Sequence, residues 1–315
     1  MGTGALEQLK VRPPAAKRIA VRGVERGMRS WTPWLFLAPY LVLFTLFVAI
    51  PVLYGLWMSL HNWDQFLDEK PWAGLSNYTE LFRPGSAKAG PFWSAMRATG
   101  IFTVLSVPLL VILPLGVAML LNERFRGRSF FRAMYFAPYV LGVVVVSMVF
   151  RFLLDPNIGA LNHLLGSTTP WTTALPWAWI SLVGMTVWWT MGFNAVIYLA
   201  GLQDIDSQLY EAAKVDGANV WQRFCNVTLP ALRPVIVFVV TVTILASANV
   251  FGQSYLMTQG APEKKTRTAI MFIAEEGFQD FNLGSAAAMS YVLALFLMAL
   301  SAGVFFFFRR GEDRR

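Results

Sequence analysis

The residue types that most often carry chemistry are scarce in this 315-residue sequence. Its one cysteine, Cys225, allows neither an intramolecular disulfide nor a cysteine-held metal cluster. Its two histidines, His61 and His163, stand in neither a His-x-x-x-His nor a His-Glu-x-x-His spacing, which argues against a zinc hydrolase site. No Gly-x-x-x-x-Gly-Lys-Ser/Thr run occurs, so the chain carries no P-loop for ATP. What remains are uncharged polar and aromatic residues set inside apolar stretches: Trp188, Trp189 and Asn194 in one, and Asn249, Gln253 and Tyr255 in another. Amide and indole groups at such positions hydrogen-bond without carrying charge. Each suits either a contact between helices or a contact with an uncharged polar ligand.

The elements that must position these residues follow from composition. Hydrophobic residues make up 56% of the chain and charged residues 14%, against about 45–50% and 25% in soluble domains. Mean hydropathy is +0.51. These values describe a chain whose solvent is partly lipid. Crossing the hydrocarbon takes about 20 apolar residues in a helix, and the charge-free runs predict six such helices, near 34–60, 97–121, 130–154, 178–201, 232–256 and 286–308. Residues 1–33 form a basic tail before them and 309–315 a short basic tail after. The net charge of +8 is distributed unevenly. Lysines and arginines cluster in the first tail, after the second helix (Arg124, Arg126, Arg128, Arg132), after the fourth (Lys214, Arg223, Arg233) and in the last tail. Positive loops stay in the cytoplasm, so both termini are expected inside, as an even number of crossings requires. That sidedness accounts for the positive charge without a nucleic-acid partner. The first apolar run is too long for a signal-peptide core and ends in Trp57-Met58-Ser59-Leu60-His61 rather than a cleavage site.

The segment 202–233 is longer than the 2–8 residues a plain helix connection takes, and it has helical pattern of its own. Ser207 suits an N-cap, with Glu211 in the early turns. Leu209, Ala212, Ala213 and Asp216 share one face, and Gly217 suits a helix stop. Trp221, Phe224 and Val227 recur at three-residue intervals, and Pro230 and Pro234 mark the start of the fifth span. The pattern fits either a docking element at the membrane surface or an amphipathic helix lying on lipid headgroups.

Glu211-Ala212-Ala213-x-x-Asp216-Gly217-Ala218, followed by Phe224 and Leu229-Pro230, resembles the EAA motif of permease subunits of binding-protein-dependent ABC importers. Gly201-Leu202-Gln203 and Leu209-Tyr210 resemble the carbohydrate-uptake branch, of the maltose and glycerol-phosphate type. Ala38-Pro39-Tyr40, Arg128 to Arg132, Phe136-Ala137-Pro138 and Phe281 to Ala288 resemble segments of the permease family as a whole. Thr258-Gln259-Gly260-Ala261-Pro262 is similar to the family's Thr-x-Gly-Gly-Pro, with Ala261 in place of the second glycine. Asp206 stands where the sugar branch commonly has proline.

The resemblance implies an all-α membrane protein with the type I ABC importer permease fold, multi-pass in a bacterial inner or plasma membrane. It implies a second homologous permease, two ATP-binding subunits and an extracytoplasmic solute-binding protein as partners. ATP and magnesium would be held by the ATPase subunits, and this chain would carry no cofactor and no catalytic activity. Glu211, Ala212, Ala213, Asp216, Gly217, Ala218, Phe224, Leu229 and Pro230 would form the coupling element. Trp188, Trp189, Asn194, Asn249, Gln253 and Tyr255 would line the path of a sugar or sugar-like solute. An amino-acid or peptide cargo is the alternative within the class. An ion-coupled transporter or a membrane enzyme would favour ionisable groups inside the spans, and the charge-free runs offer none. The loops 61–96 and 257–285, with Trp63, Asp64, Trp72, Asn77, Tyr78, Trp93, Glu263, Lys264, Lys265, Glu275 and Glu276, are expected to meet the solute-binding protein.

Overall fold

A computed structural model describes residues 32–66 and 68–309. Nearly all of the two basic tails lies outside these residues. The described chain divides at Tyr54 into two units. The first holds α1 (Thr32–Phe44), a π-helical turn (Thr45–Ala49) and the start of α2 (Ile50–Ser59). No polar backbone group can be left bare in hydrocarbon, and continuous helical pairing from Trp34 to Ser59 satisfies this over a stretch of hydropathy 2.4.

The second unit, from Gly55, is built on α4 (Ala89–Asn122) and α8 (Trp177–Gln203), which pack along one another. At 1.5 Å per residue, the 34 residues of α4 extend about 51 Å, well beyond the hydrocarbon thickness. This explains why it starts eight residues before the sequence-based boundary at 97. Its first turns, with Phe92 and Ala95, are buried against Leu81 of α3 (Ser76–Phe82), Phe272 of α13 (Ala269–Phe278) and Met289 of α14 (Leu283–Arg309). Farther along, Phe102 and Leu110 pack with Leu182 and Met185 of α8. At the other end, Ala118 meets Tyr198 and Leu199 of α8 and Val239 of α12 (Arg233–Ala248).

Two expected spans are broken. The third consists of α5 (Arg128–Val140) and α6 (Val143–Leu153), bent by 94° at Leu141-Gly142, and the short α7 (Ala160–Leu165) follows. The fifth was expected over 232–256, but α12 stops at Ala248. Apolar residues continue past this point, so composition hides the break. The Asn249 side chain caps the end by donating to Leu245 O at 2.8 Å, and a π-helical turn (Ser254–Thr258) follows. Among the described residues four helices are long and apolar enough to span a membrane, or up to six when α5 with α6 and Val220–Ala231 with Arg233–Ala248, bent by 69°, each count as one span. There is no β-strand among the described residues, only isolated bridges at His61–Trp72 and Asp64–Asn282.

The expected loop 257–285 contains α13, and its acids are used internally. Glu276 pairs with Lys88 at 3.0 Å and Glu275 with Arg267 at 3.0 Å. Glu276 is buried, so it is withdrawn from the expected outward-facing set, whereas Glu263, Lys264 and Lys265 remain exposed. Trp93, expected in the loop 61–96, instead lies in α4 and donates Nε1–H to Leu81 O at 2.8 Å.

Candidate functional site

The bend between α5 and α6 and the break after α12 open onto the same space, a cavity of about 490 Å³ beside the middle of α8. Thr186, Trp189, Thr190, Phe193 and Asn194 line it from α8. They fall at i, i+3, i+4, i+7 and i+8, one helical face. Tyr139 and Val143 line the side towards α5 and α6, and Asn249 to Gln253 form the wall beyond α12. The close fit depends on two glycines. A Cβ on Gly192 would stand 2.0 Å from Tyr135 O, so α8 touches the backbone of α5 there. A Cβ on Gly252 would stand 3.0 Å from Val143 Cγ1.

The bend frees the Leu141 carbonyl, and Trp189 Nε1–H donates to it at 2.9 Å. The indole is thereby fixed near Tyr139, 6.1 Å away, which in turn stacks on Phe193 at 4.7 Å. Asn194 is 94% buried and donates Nδ2–H to Leu110 O at 2.9 Å and to Thr243 Oγ1 at 3.4 Å. It ties α8 to α4 and α12 within the cavity wall. Asn249 is exposed to the cavity mouth. The buried Gln253 makes no side-chain hydrogen bond to the described residues, which leaves its amide available to a ligand.

Of the six residues expected on the solute path, Trp189, Asn194, Asn249 and Gln253 line the cavity and two do not. Trp188 lies off the α8 face, 43% exposed, with its ring 5.3 Å from Phe150. Tyr255 is 39% exposed and stacks on Phe251 at 5.2 Å. Thr186, Thr190, Phe193 and Tyr139 were missed. The first three could have been found by extending the 3.6-residue period outward from Trp189 and Asn194; Tyr139 carries no such signal. No lining residue is an acid, a base or a histidine.

The segment after α8 forms a second site. Asp206, not Ser207, caps α9 (Ser207–Val215), accepting from Gln208 N–H at 2.9 Å. Asp206 is thus the residue that sets the start of the helix. At the other end Ala218 N–H donates to Ala213 O at 2.9 Å and Gly217 N–H to Lys214 O at 3.1 Å. This Schellman closure needs a left-handed residue, and Gly217 supplies φ +76°. Asn219 and Gln222 then form a capping box that starts α10 (Val220–Arg223), followed by a π-helical turn (Phe224–Thr228) and α11 (Leu229–Ala231). Tyr210 and Thr228 join their hydroxyls at 3.0 Å and hold α9 against the returning chain.

Leu209, Ala212, Ala213, Asp216, Gly217 and Ala218 share an open cleft of about 470 Å³. Glu211, Leu229 and Pro230 are exposed outside it, while Phe224 lines a separate cavity with Tyr210 and Thr228, its ring 5.4 Å from Trp221. Leu209, Val215, Val220 and Trp221 are 51–88% exposed, a large apolar offering for a segment rich in polar residues. Beyond α12, Glu263 accepts from Lys265 in an exposed ion pair at 2.8 Å, which holds its carboxyl below the usual range.

A helical membrane protein with a charge-free cavity at broken spans and an exposed helix–turn–helix at one end defines a transport component. Residues 85–314 match the family described as "binding-protein-dependent transport system inner membrane component", and the chain belongs to that family. It is a multi-pass membrane permease component with the type I ABC importer permease fold. Among its relatives, the probable ABC transporter permease protein YurN of Bacillus subtilis is 32% identical over 89% of this chain and 97% of its own. The trehalose/maltose transport system permease protein MalF of Thermococcus litoralis is 33% identical over 83% of this chain and 89% of its own. In fold the chain is similar to a subunit of a bacterial alginate ABC transporter, solved in complex with an alginate pentasaccharide-bound periplasmic protein. The TM-score is 0.76 at 24% identity, over 89% of this chain and 94% of that one.

Proposed function

We propose that this chain is a membrane-spanning subunit of a bacterial inner-membrane importer that moves a sugar or sugar-like solute by alternating access. The observation that carries the reading is the charge-free cavity. Its size falls within the range of small-molecule sites, about 300–1,000 Å³. Trp189, Tyr139, Phe193 and Phe251 offer ring faces to the C–H surfaces of a sugar. Gln253, Asn249 and Thr190 offer uncharged hydrogen-bonding groups to its hydroxyls. A charged cargo would need a counter-ion there, because an unpaired charge in low dielectric is costly. The saccharide in the name of the Thermococcus relative agrees with this cargo.

The sequence holds no P-loop, so energy must come from partner subunits that bind ATP and magnesium. Helix α9 is the contact we assign to them, with Glu211 as polar anchor, Ala212 and Ala213 as the close-packing face and Gly217 as the bend. A second permease and a solute-binding protein complete the assembly; the alginate ABC transporter was solved in complex with a periplasmic protein, which supports the solute-binding partner. The test is uptake by cells with and without this chain, using radiolabelled sugars, amino acids and peptides. Vanadate-sensitive uptake confined to a sugar is the expected result. Uptake of amino acids or peptides alone, or uptake indifferent to vanadate and abolished by a proton uncoupler, would refute it.

A further inference from the structure

Arg124, Arg126, Arg128 and Arg132 were accounted for in the sequence as a sidedness signal, but that role does not require them to converge. In the structure all four line one cavity of about 980 Å³, between the last turn of α4, the first turn of α5 and the end of α8. Gly127, at φ +88°, reverses the chain between α4 and α5 and brings the arginines on either side of it together. None of the four forms an ion pair among the described residues. Arg132 is held in place by donating Nη2–H to Leu121 O at 3.0 Å, and its Nε is buried without a hydrogen-bond partner. Asn122, Leu202 and Tyr210 are shared with an adjoining cavity of about 370 Å³, which adds Lys214 and Arg223, and whose one acid is Glu123.

The surroundings identify the occupant. Leu120, Phe125, Phe130 and Phe131, adjacent in sequence to these arginines, are 69%, 40%, 68% and 40% exposed. Exposed apolar and aromatic side chains beside clustered arginines at the foot of a span are the composition of a membrane interface. Basic pockets between spanning helices at that depth recognise anionic headgroups through charge-assisted hydrogen bonds. We infer that this cleft binds the phosphate of an anionic phospholipid such as phosphatidylglycerol. Tyr210 of α9 lies in its wall, so the bound headgroup contacts the same segment that carries Glu211 and Gly217. The inference depends on the membrane setting and not on the transport reading.

The full-length chain in detergent is titrated with phosphatidylglycerol or phosphatidylcholine, and bound lipid is counted by native mass spectrometry. Each interfacial cation contributes about five-fold to binding, so the double variant R126Q/R128Q is expected to bind phosphatidylglycerol roughly thirty-fold more weakly. Both side chains are exposed, so their loss leaves the fold intact. The charge-matched control R83Q/K264Q, on the loops at the other end of the spans, is expected to bind like the wild type. Equal binding of phosphatidylcholine, or equal weakening in the control, would overturn the inference. Displacement of the lipid by inorganic phosphate would identify a soluble anion as the occupant and overturn it too. So would a double variant that retains the lipid but no longer co-purifies with the ATP-binding subunit, because the cleft would then be a protein contact.

Discussion

Gly192→Ala tests whether the cavity is set by backbone contact between α8 and α5. The added methyl would lie 2.0 Å from Tyr135 O and 2.6 Å from Tyr135 C, against an ordinary contact of at least 3.4 Å. Because the obstacle is backbone, no rotamer change relieves it, and the helices must separate by about 1.4 Å. A shift of that size takes the Trp189–Leu141 hydrogen bond from 2.9 Å past any bonding distance. Overpacking costs about 1–3 kcal/mol and the lost interhelical bond about 0.6–2 kcal/mol. The better helix propensity of alanine returns up to about 1 kcal/mol, which leaves a net destabilisation of roughly 0.6–5 kcal/mol. Gly184→Ala, on the same helix, adds a methyl with nothing within 4 Å and serves as control. Thermal unfolding of the purified chain in detergent, followed by tryptophan fluorescence, should show G192A melting well below wild type and G184A at or above it. Uptake should fall with G192A alone, because Trp189 and Tyr139 lose their places. A G192A protein as stable and as active as G184A would show that backbone contact between α8 and α5 does not set the cavity.

Three further predictions use other parts of the chain. Asn249→Leu keeps the size of the side chain but removes both the cap on Leu245 O and the amide at the cavity mouth; uptake should fall several-fold at unchanged membrane abundance, measured by transport assay and immunoblot. Asn194→Ala breaks the bonds to Leu110 O and Thr243 and should lower thermal stability by about 1–3 kcal/mol through the unsatisfied buried carbonyl. Gly217→Pro imposes φ near −65° where the chain needs +76°; it should leave the protein in the membrane but abolish ATP-driven uptake, and full uptake by this variant would contradict the assignment of α9.

Much of the architecture was readable because hydrophobic runs of the right length report directly on helices in lipid. Four helical stretches, Trp34–Ser59, Ala89–Asn122, Trp177–Gln203 and Leu283–Val304, lie where apolar residues accumulate. The breaks were hidden for the same reason: Leu141-Gly142 and Val250-Phe251 are as apolar as the helices they interrupt. Their cause is tertiary, namely a tryptophan that captures a freed carbonyl and glycines that let neighbouring segments close in. The cap at α9 was misassigned by one residue because Asp206 and Ser207 are both good capping types, and only the side chain's aim separates them. Trp188 and Tyr255 looked as suitable as Trp189 and Gln253 in composition; helix phase for the first, and the unwound backbone for the second, turned them away from the cavity.

On the proposed function, this chain carries an uncharged solute and is driven through α9 by ATP hydrolysed elsewhere. The most direct measurement is simultaneous ATP hydrolysis and sugar uptake in proteoliposomes holding this chain with its partner permease, ATPase subunits and solute-binding protein. Sugar uptake is expected to require ATP, and Glu211→Ala combined with Gly217→Pro is expected to abolish uptake while this chain remains in the bilayer. Uptake that proceeds without ATP, or that is unaltered in the double variant, would contradict the proposed function.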